Sequence, residues 1–395
     1  MDTRTLRDNW LEINLDNLQN NFLAYKAMVG PDVKIMPAIK VNAYGHGIIA
    51  CGKVLEESGA DYLGVGSVEE GMLLRKNGVR MPILIFASNL IQEAAPLYVE
   101  HNLIPTILSV EAAEAFSKAV GDKGPRNIFI AMDTGRGRLG VNAEVFPEFY
   151  KKISALKNLH VEGVYSHMAK VDWPDKGDEY ALWQYERFQK AMAGIGDAAE
   201  QIPFRQLANT PAGIALPQLR LTGVCPGRAM WGYSPLEKRP GHPDLKAPFT
   251  AWKSRLVHIN EVWGGKFGPN YSAVKLAEPK RIGIMVGGMG DGISTALSKG
   301  YVLLRGRKCP IASSLSLEHT ILDLTDFPDA KVGDEIVLLG KQGGEEITLA
   351  QRMEDWNLPV PRIWTNISCH LDRYYYRQGK LWAIGKDQEL VMVEE

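Results

Sequence analysis

The sequence predicts an α/β protein in two parts, an N-terminal (β/α)8 barrel of the TIM type followed by a C-terminal, mainly antiparallel β domain. Three observations lead there. Eight short apolar runs alternate with amphipathic stretches through the first part of the chain, as parallel strands with helical crossovers require. From about Asp244 the texture changes to β-branched runs separated by glycine, proline and aspartate turns. Between them, Arg239-Pro240-Gly241-His242-Pro243 interrupts both periodicities.

After residues 10–15, the apolar runs are 35–41, 62–65, 82–87, 104–108, 127–132, 161–167, 204–207 and 221–230. Each is short enough for a buried strand. Helical spacing appears between them, over 15–28, 47–58, 68–77, 110–120, 145–156 and 179–195. Closing eight such units removes exposed sheet edges, so residues 11–243 are expected to form the barrel. Antiparallel strands are expected at 254–262, 281–287, 301–305, 321–324, 335–339 and 373–384, in a β domain of residues 1–10 and 244–395.

At 395 residues and 45% hydrophobic, the chain can bury a core in each of two domains. Basic and acidic residues number 45 and 46, without a long block of either sign. That balance argues against a nucleic-acid or membrane-surface partner and for a small ligand. Residues 1–10 lack the apolar core of a signal peptide, and no apolar run is long enough to span a bilayer, so a cytoplasmic protein is expected. Cys51, Cys225, Cys309 and Cys369 are scattered without metal-ligand spacing and read as small buried hydrophobes.

Chemistry concentrates where barrel strands end and βα loops begin. Lys40 closes an apolar run just before Asn42-Ala43-Tyr44-Gly45-His46-Gly47. A lysine taken into an apolar site loses hydration of its charged form, so the free amine needed to condense with a carbonyl becomes accessible at neutral pH. The same context suits a lysine snorkelling out of a strand end. Asp133-Thr134-Gly135-Arg136-Gly137-Arg138 follows the fifth run, Ser166-His167 ends the sixth, Asn209-Thr210 follows the seventh, and Cys225-Pro226-Gly227-Arg228 lies in the eighth.

These motifs, in this order and over essentially the whole chain, resemble the alanine racemase family of pyridoxal-phosphate enzymes. The most specific pieces are Lys40-Val41-Asn42-Ala43-Tyr44-Gly45-His46-Gly47, Met132-Asp133-Thr134-Gly135 with Gly137-Arg138-Leu139-Gly140-Val141, and Tyr165-Ser166-His167. The resemblance implies pyridoxal 5′-phosphate as cofactor and an amino acid as substrate. It also implies a homodimer in which each β domain faces its partner's barrel mouth. Lys40 becomes the Schiff-base lysine and the base on one face of the substrate α-carbon. Tyr44, Asn209, Thr210, Gly227 and Arg228 fall at the cofactor, where a phosphate of charge about −2 wants converging donors. Arg228 also suits an exposed loop. Arg138 matches the arginine near the substrate carboxylate, and His167 a histidine near the cofactor ring.

Several positions depart from the family. Its second base is a tyrosine of the partner's β domain within Tyr-Gly-x-x-Tyr; here the match is Phe267-Gly268-Pro269-Asn270-Tyr271. Phenylalanine exchanges no proton, which leaves Tyr271 as the candidate. Cys225 replaces the arginine facing the pyridine nitrogen, and Ala131 replaces the lysine that buttresses the carboxylate-binding arginine. Leu317-Glu318 stands for Met-Asp at the substrate entrance, and Pro361 falls where a phosphate-binding tyrosine is expected. The expected activity is therefore an amino-acid racemase, an isomerase acting at the α-carbon on something other than standard alanine racemisation. The alternatives are one-sided chemistry, such as retro-aldol cleavage, elimination, decarboxylation or transamination, and a cofactor-binding protein of low activity.

Overall fold

The computed structural model describes residues 7–86, 90–171, 178–234, 236, 241–262, 280–312, 315–386 and 388–393. The chain divides into two compact units. One comprises Asn17–Ala43 and Cys51–Ala247, the other Met1–Asp16, Tyr44–Ala50 and Pro248–Glu395. Among the described residues no helix is long and apolar enough to cross a membrane.

The first element among the described residues is β1 (Asn9–Asn14), a strand of the second unit. The barrel strands are β2 (Lys34–Ile35), β3 (Leu63–Val65), β4 (Ile83–Ile85), β5 (Ile104–Ile107), β6 (Arg126–Asp133), β8 (Leu159–Tyr165), β9 (Phe204–Gln206) and β10 (Gly223–Val224), and a short β7 (Val141–Asn142) pairs with β6. The sheet runs β2-β10-β9-β8-β6-β5-β4-β3, all parallel. Residues just beyond β2 close the ring: Ala38 bridges Gly64 in parallel, and the Ile39 N–H donates to the Gly64 carbonyl at 2.8 Å. The runs expected at 35–41 and 221–230 give only the two-residue strands Lys34–Ile35 and Gly223–Val224, because Pro37 and Pro226 have no N–H to extend the ladder.

Large and small side chains alternate inside the barrel. Met36, Tyr62, Leu84, Ile104, Phe129 and Phe204 form a buried cluster, with Phe86, Tyr165 and Cys225 packed against it. Three glycines make the room. A Cβ on Gly64, Gly163 or Gly223 would come within 2.3 to 2.5 Å of the ring of Phe86, Phe129 or Phe204 respectively. Interiors packed this densely have no slack for such a carbon.

Around the sheet lie α1 (Leu15–Val29), a kinked segment α2 (Lys40–Tyr44), α3 (Ile48–Glu57), α4 (Val68–Lys76), α5 (Ile91–Glu100), α6 (Val110–Val120), α7 (Phe146–Ser154), α8 (Asp178–Ala193) and α9 (Thr210–Ala215). Besides the kinked α2, two of these were not expected. Pro96 disguises α5, since a proline within a periodic stretch reads as a break, and α9 has six residues, too few to show a period.

In the second unit, β1 pairs antiparallel with β11 (Phe249–Val262) and parallel with a later strand at Asp372–Arg377. The boundary expected after residue 10 therefore moves to Asp16, and the one expected after 243 moves to Ala247. Backbone pairing decides both: residues 11–14 spend their N–H and C=O groups in this sheet, and Asn14 donates to the Pro248 carbonyl at 2.7 Å. The remaining strands are β12 (Lys280–Val286), β13 (Tyr301–Leu304), β14 (Arg307–Pro310), β15 (His319–Asp323), β16 (Glu335–Gln342), β17 (Glu345–Ile347), β18 (Asp372–Arg377), β19 (Lys380–Lys386) and β20 (Glu389–Met392). The single strand expected at 373–384 is a hairpin, turned through Gln378 and Gly379 at φ 49° and 74°, the left-handed pair that a two-residue hairpin turn needs. Two helices also interrupt the β texture, α10 (Leu349–Trp356), capped by Thr348, and α11 (Val360–Asn366), which holds Pro361 in its first turn.

Candidate active site

Lys40 does not continue a strand. It opens a left-handed turn in which Val41, Asn42, Ala43 and Tyr44 all have φ between 51° and 56°. For residues with a Cβ this costs roughly 1–2 kcal/mol each, so other contacts must hold it. Glu70 on α4 supplies them: its carboxylate accepts the Asn42 N–H and the Gly66 N–H, both at 2.8 Å. Glu70 escaped the sequence reading because it looks like any polar residue in the first turn of a helix. Tyr44 ends the turn, and its carbonyl lies 3.1 Å from His46 Nδ1 within the second unit.

The Lys40 amine is partly buried, 5.6 Å from the centre of the Phe86 ring, and has no hydrogen-bond partner among the described residues. Burial lowers its pKa; Arg138 and Arg136 push the same way, while Cys225 and Glu70 oppose. The free amine is thus reached at lower pH than in an ordinary lysine, which helps condensation with an aldehyde. Cys225, at the end of β10, has its thiol pushed up to about 12 by burial, so it stays neutral. Tyr165 lies in the same layer, its hydroxyl 3.1 Å from Thr106 Oγ1.

The loop after β6 is organised by Asp133. Burial would raise this carboxyl, but backbone N–H groups of Gly135, Gly137, Arg136 and Arg138 outweigh that and hold it below its ordinary value. The bonds are 2.8 Å to Gly135 and Arg136 and 3.2 Å to Gly137 and Arg138. Gly140 has φ 135°, and a Cβ there would lie 2.4 Å from the Asp133 nitrogen, which explains the glycine of the motif. The Arg138 guanidinium has no hydrogen bond among the described residues. Arg136, not singled out from the sequence, gives Nη1 to the carbonyls of Met168 at 2.7 Å and Ala169 at 3.0 Å.

A second support links this loop to the end of β8. Thr134 Oγ1 meets Ser166 Oγ at 2.8 Å, and Gln184 of α8 donates to Thr134 while accepting the Ala169 N–H. His167 emerges beside them. Its pKa is lowered by burial first and then by Arg136, Arg138, Lys40 and Arg228. The residue opens to solvent at the barrel mouth, so screening tempers the effect; the direction leaves a neutral imidazole at neutral pH.

Thr210 Oγ1 accepts the N–H groups of Gly227 at 3.1 Å and Ala229 at 3.2 Å. The Gly227 N–H, expected at a phosphate, is thus committed to shaping the loop, whereas the Thr210 hydroxyl proton remains to donate. Asn209 caps α9 by accepting the Ala212 N–H at 3.2 Å. The Arg228 guanidinium lies 5.8 Å from the Tyr233 ring centre. Lys40, Arg138, His167, Thr210, Cys225, Gly227 and Arg228 therefore all gather at the C-terminal ends of the barrel strands. Leu317 and Glu318 belong to the other unit, where they form an exposed turn before β15, their carbonyls accepting N–H groups from Gly290 and Gly287. Phe267 and Tyr271 lie outside the described residues.

A desolvated lysine acted on by a neutral thiol, with a hydroxyl and an arginine on neighbouring loops, suits an aldehyde cofactor that carries a phosphate. Comparison with known proteins names it. The model for the alanine racemase N-terminal domain matches residues 13–235, and that for the C-terminal domain residues 249–375. The alanine racemase of Halothermothrix orenii is 34% identical over 378 residues, covering 95% of this chain and 98% of that protein. That of Nostoc sp. is 32% identical over 375 residues, covering 94% and 95%. The crystal structure of alanine racemase from Bacillus anthracis with bound L-Ala-P superposes with a TM-score of 0.87 at 27% identity, covering 96% and 98%. A histidine racemase from Leuconostoc mesenteroides shares the fold, at 20% identity, a TM-score of 0.81 and coverage of 95% and 100%. The chain therefore belongs to the alanine racemase family, and it is a pyridoxal-5′-phosphate-dependent amino-acid racemase.

Proposed function

We propose that this enzyme inverts the α-carbon of an amino acid other than alanine, with Lys40 exchanging the proton on one face. The observation that carries the reading is the Lys40 amine, desolvated and held on a left-handed turn by Glu70. When bound, pyridoxal phosphate supplies the electron sink for charge developing at the α-carbon. The protein's part is to bind, orient and move protons. In this reading Thr210, Tyr44 and Arg228 hold the phosphate, with Asn209 and Gly227 keeping their loops in shape. Arg138 offers its planar fork to the substrate α-carboxylate.

Cys225 and Ala131 support a substrate other than alanine. A neutral thiol cannot supply the fixed charge that the family places at the ring nitrogen, and Ala131 cannot buttress Arg138. Arg138 is accordingly left to the substrate. His167, neutral beside the ring, can accept or donate a hydrogen bond without adding charge. On the opposite face we assign the second proton carrier to Tyr271 of a second copy, since Phe267 has no exchangeable proton, with Leu317 and Glu318 at the substrate entrance. This makes the working form a homodimer. A cytoplasmic setting accords with four cysteines of which none is in a disulfide.

The test is to offer the purified holoenzyme single L- and D-amino acids in heavy water. Product of opposite hand carrying deuterium at the α-carbon is expected. Exchange or release of other products without inversion would overturn the reading.

A further inference from the structure

Resting on that reading, we propose that the substrate carries a second acidic group on its side chain, as aspartate and glutamate do, and that Arg136 selects it. Arg136 and Arg138 stand in one loop with a single glycine between them. The acid closest to them in sequence, Asp133, is consumed by four backbone N–H groups of that loop. Glu70, the carboxylate acting on Lys40, is likewise consumed, by Asn42 and Gly66. Neither is placed to pair with a guanidinium.

The two arginines also act on each other and on common neighbours: the charge of Arg138 bears on Arg136, and both bear on Lys40 and His167. Both residues are exposed on that loop, and two like charges acting on each other are relieved by an anion that binds both. Arg136 is anchored through one nitrogen only. Nη1 is spent on the Met168 and Ala169 carbonyls, which fixes the plane of the group at the end of β8, beside His167. Among the described residues its Nε and Nη2 edge has no partner, and that edge matches a carboxylate with two parallel N–H groups.

A substrate such as alanine brings one carboxylate, and Arg138 suffices for it. The phosphate takes Arg228. Arg136 is the remaining fork, and it would be wasted on an apolar or small side chain. Because the substrate's side-chain group does not react, the chemistry is unchanged: one proton leaves the α-carbon and one returns on the other face.

The test compares kcat/KM of the holoenzyme for aspartate and glutamate with asparagine and glutamine, their neutral isosteres, and with alanine. A charge-assisted hydrogen bond contributes about 1.5–3 kcal/mol, so the acids should lead the amides by roughly 10- to 150-fold. Arg136→Gln should collapse that ratio toward one, mainly through KM, whereas mere loss of the carbonyl clamp would slow acid and amide alike. Calorimetry without turnover gives a second readout: succinate should bind the holoenzyme more tightly than butyrate, and Arg136→Gln should erase the difference. Racemisation of neutral amino acids at equal or better efficiency than the acids would overturn this inference and leave the racemase reading standing. An acid preference that survives Arg136→Gln would overturn the assignment to Arg136. Absence of inversion with every amino acid would instead sink the reading on which it rests.

Discussion

The Glu70 carboxylate bridges the backbone N–H groups of Asn42 and Gly66, 2.8 Å from each, and so ties the turn that leaves Lys40 to the loop after β3. Four consecutive left-handed residues do not stay so by preference. In Glu70→Gln the amide keeps one acceptor oxygen and loses the charge, which weakens two charge-assisted bonds. About 1–3 kcal/mol of local stability should be lost. Cofactor binding, followed by absorbance, should fall further than the melting temperature does; equal cofactor affinity in the variant would show that the turn holds without Glu70.

Thr210→Val keeps the shape of the side chain and removes the oxygen that accepts from Gly227 and Ala229. Two N–H groups then lose their partner, each at about 1–3 kcal/mol if it stays dry. Cofactor dissociation measured by dialysis should accelerate by at least tenfold, and Thr210→Ser should restore most of the retention. Failure of serine to rescue would mean that the methyl group, not the hydroxyl, matters.

Gly163→Ala probes the barrel interior without touching the site. Its Cβ would fall 2.3 Å from a ring carbon of Phe129, and overpacking of this kind costs about 1–3 kcal/mol. Denaturant midpoints should drop accordingly. Adding Phe129→Leu should recover part of the loss, because the smaller side chain vacates the space.

The Lys40 amine gives a pH prediction with a definite sign. Burial lowers its pKa, and Arg138 lowers it further. Removing that cation in Arg138→Gln should raise the pKa, so capture of pyridoxal phosphate by the apoenzyme should shift to higher pH. A midpoint that moves down, or stays fixed, would show that the Arg138 guanidinium does not act on Lys40.

His167 gives another. Its folded-state pKa lies below the ordinary 6.5, so the unfolded chain takes up a proton that the folded chain refuses. Its contribution is intact above about pH 6.5 and is lost as pH falls from there toward the depressed folded value. His167→Gln should flatten the acid side of the stability profile in that window. Superimposable profiles for the two proteins would exclude the effect.

Much of this architecture was legible from local chemistry. Eight apolar runs, the helices at 110–120 and 68–77, and the lysine before a glycine-rich turn follow from periodicity and residue type, which act over a few neighbours. The positions of Lys40, Arg138, His167 and Thr210 at strand ends followed from the same pattern. Where prolines withhold donors, as at Pro37 and Pro226, the runs overstated the strands; where a helix is short or holds Pro96, they missed it.

Other features depend on residues far apart in the chain, and only folding brings those together. Nothing near Asn9–Asn14 announces that its partners are Phe249–Val262 and Asp372–Arg377, because backbone pairing is indifferent to sequence distance. Glu70 became a support for Lys40 only when α4 delivered its carboxylate to a turn 28 residues earlier. Arg136 acquired meaning when two carbonyls of the β8 loop occupied one nitrogen and left the opposite edge open. The residue types and their order determined the barrel, the β domain and the reactive lysine. Tertiary structure decided which charges are already spent and which remain for a ligand, because a hydrogen bond depends on where its two atoms meet.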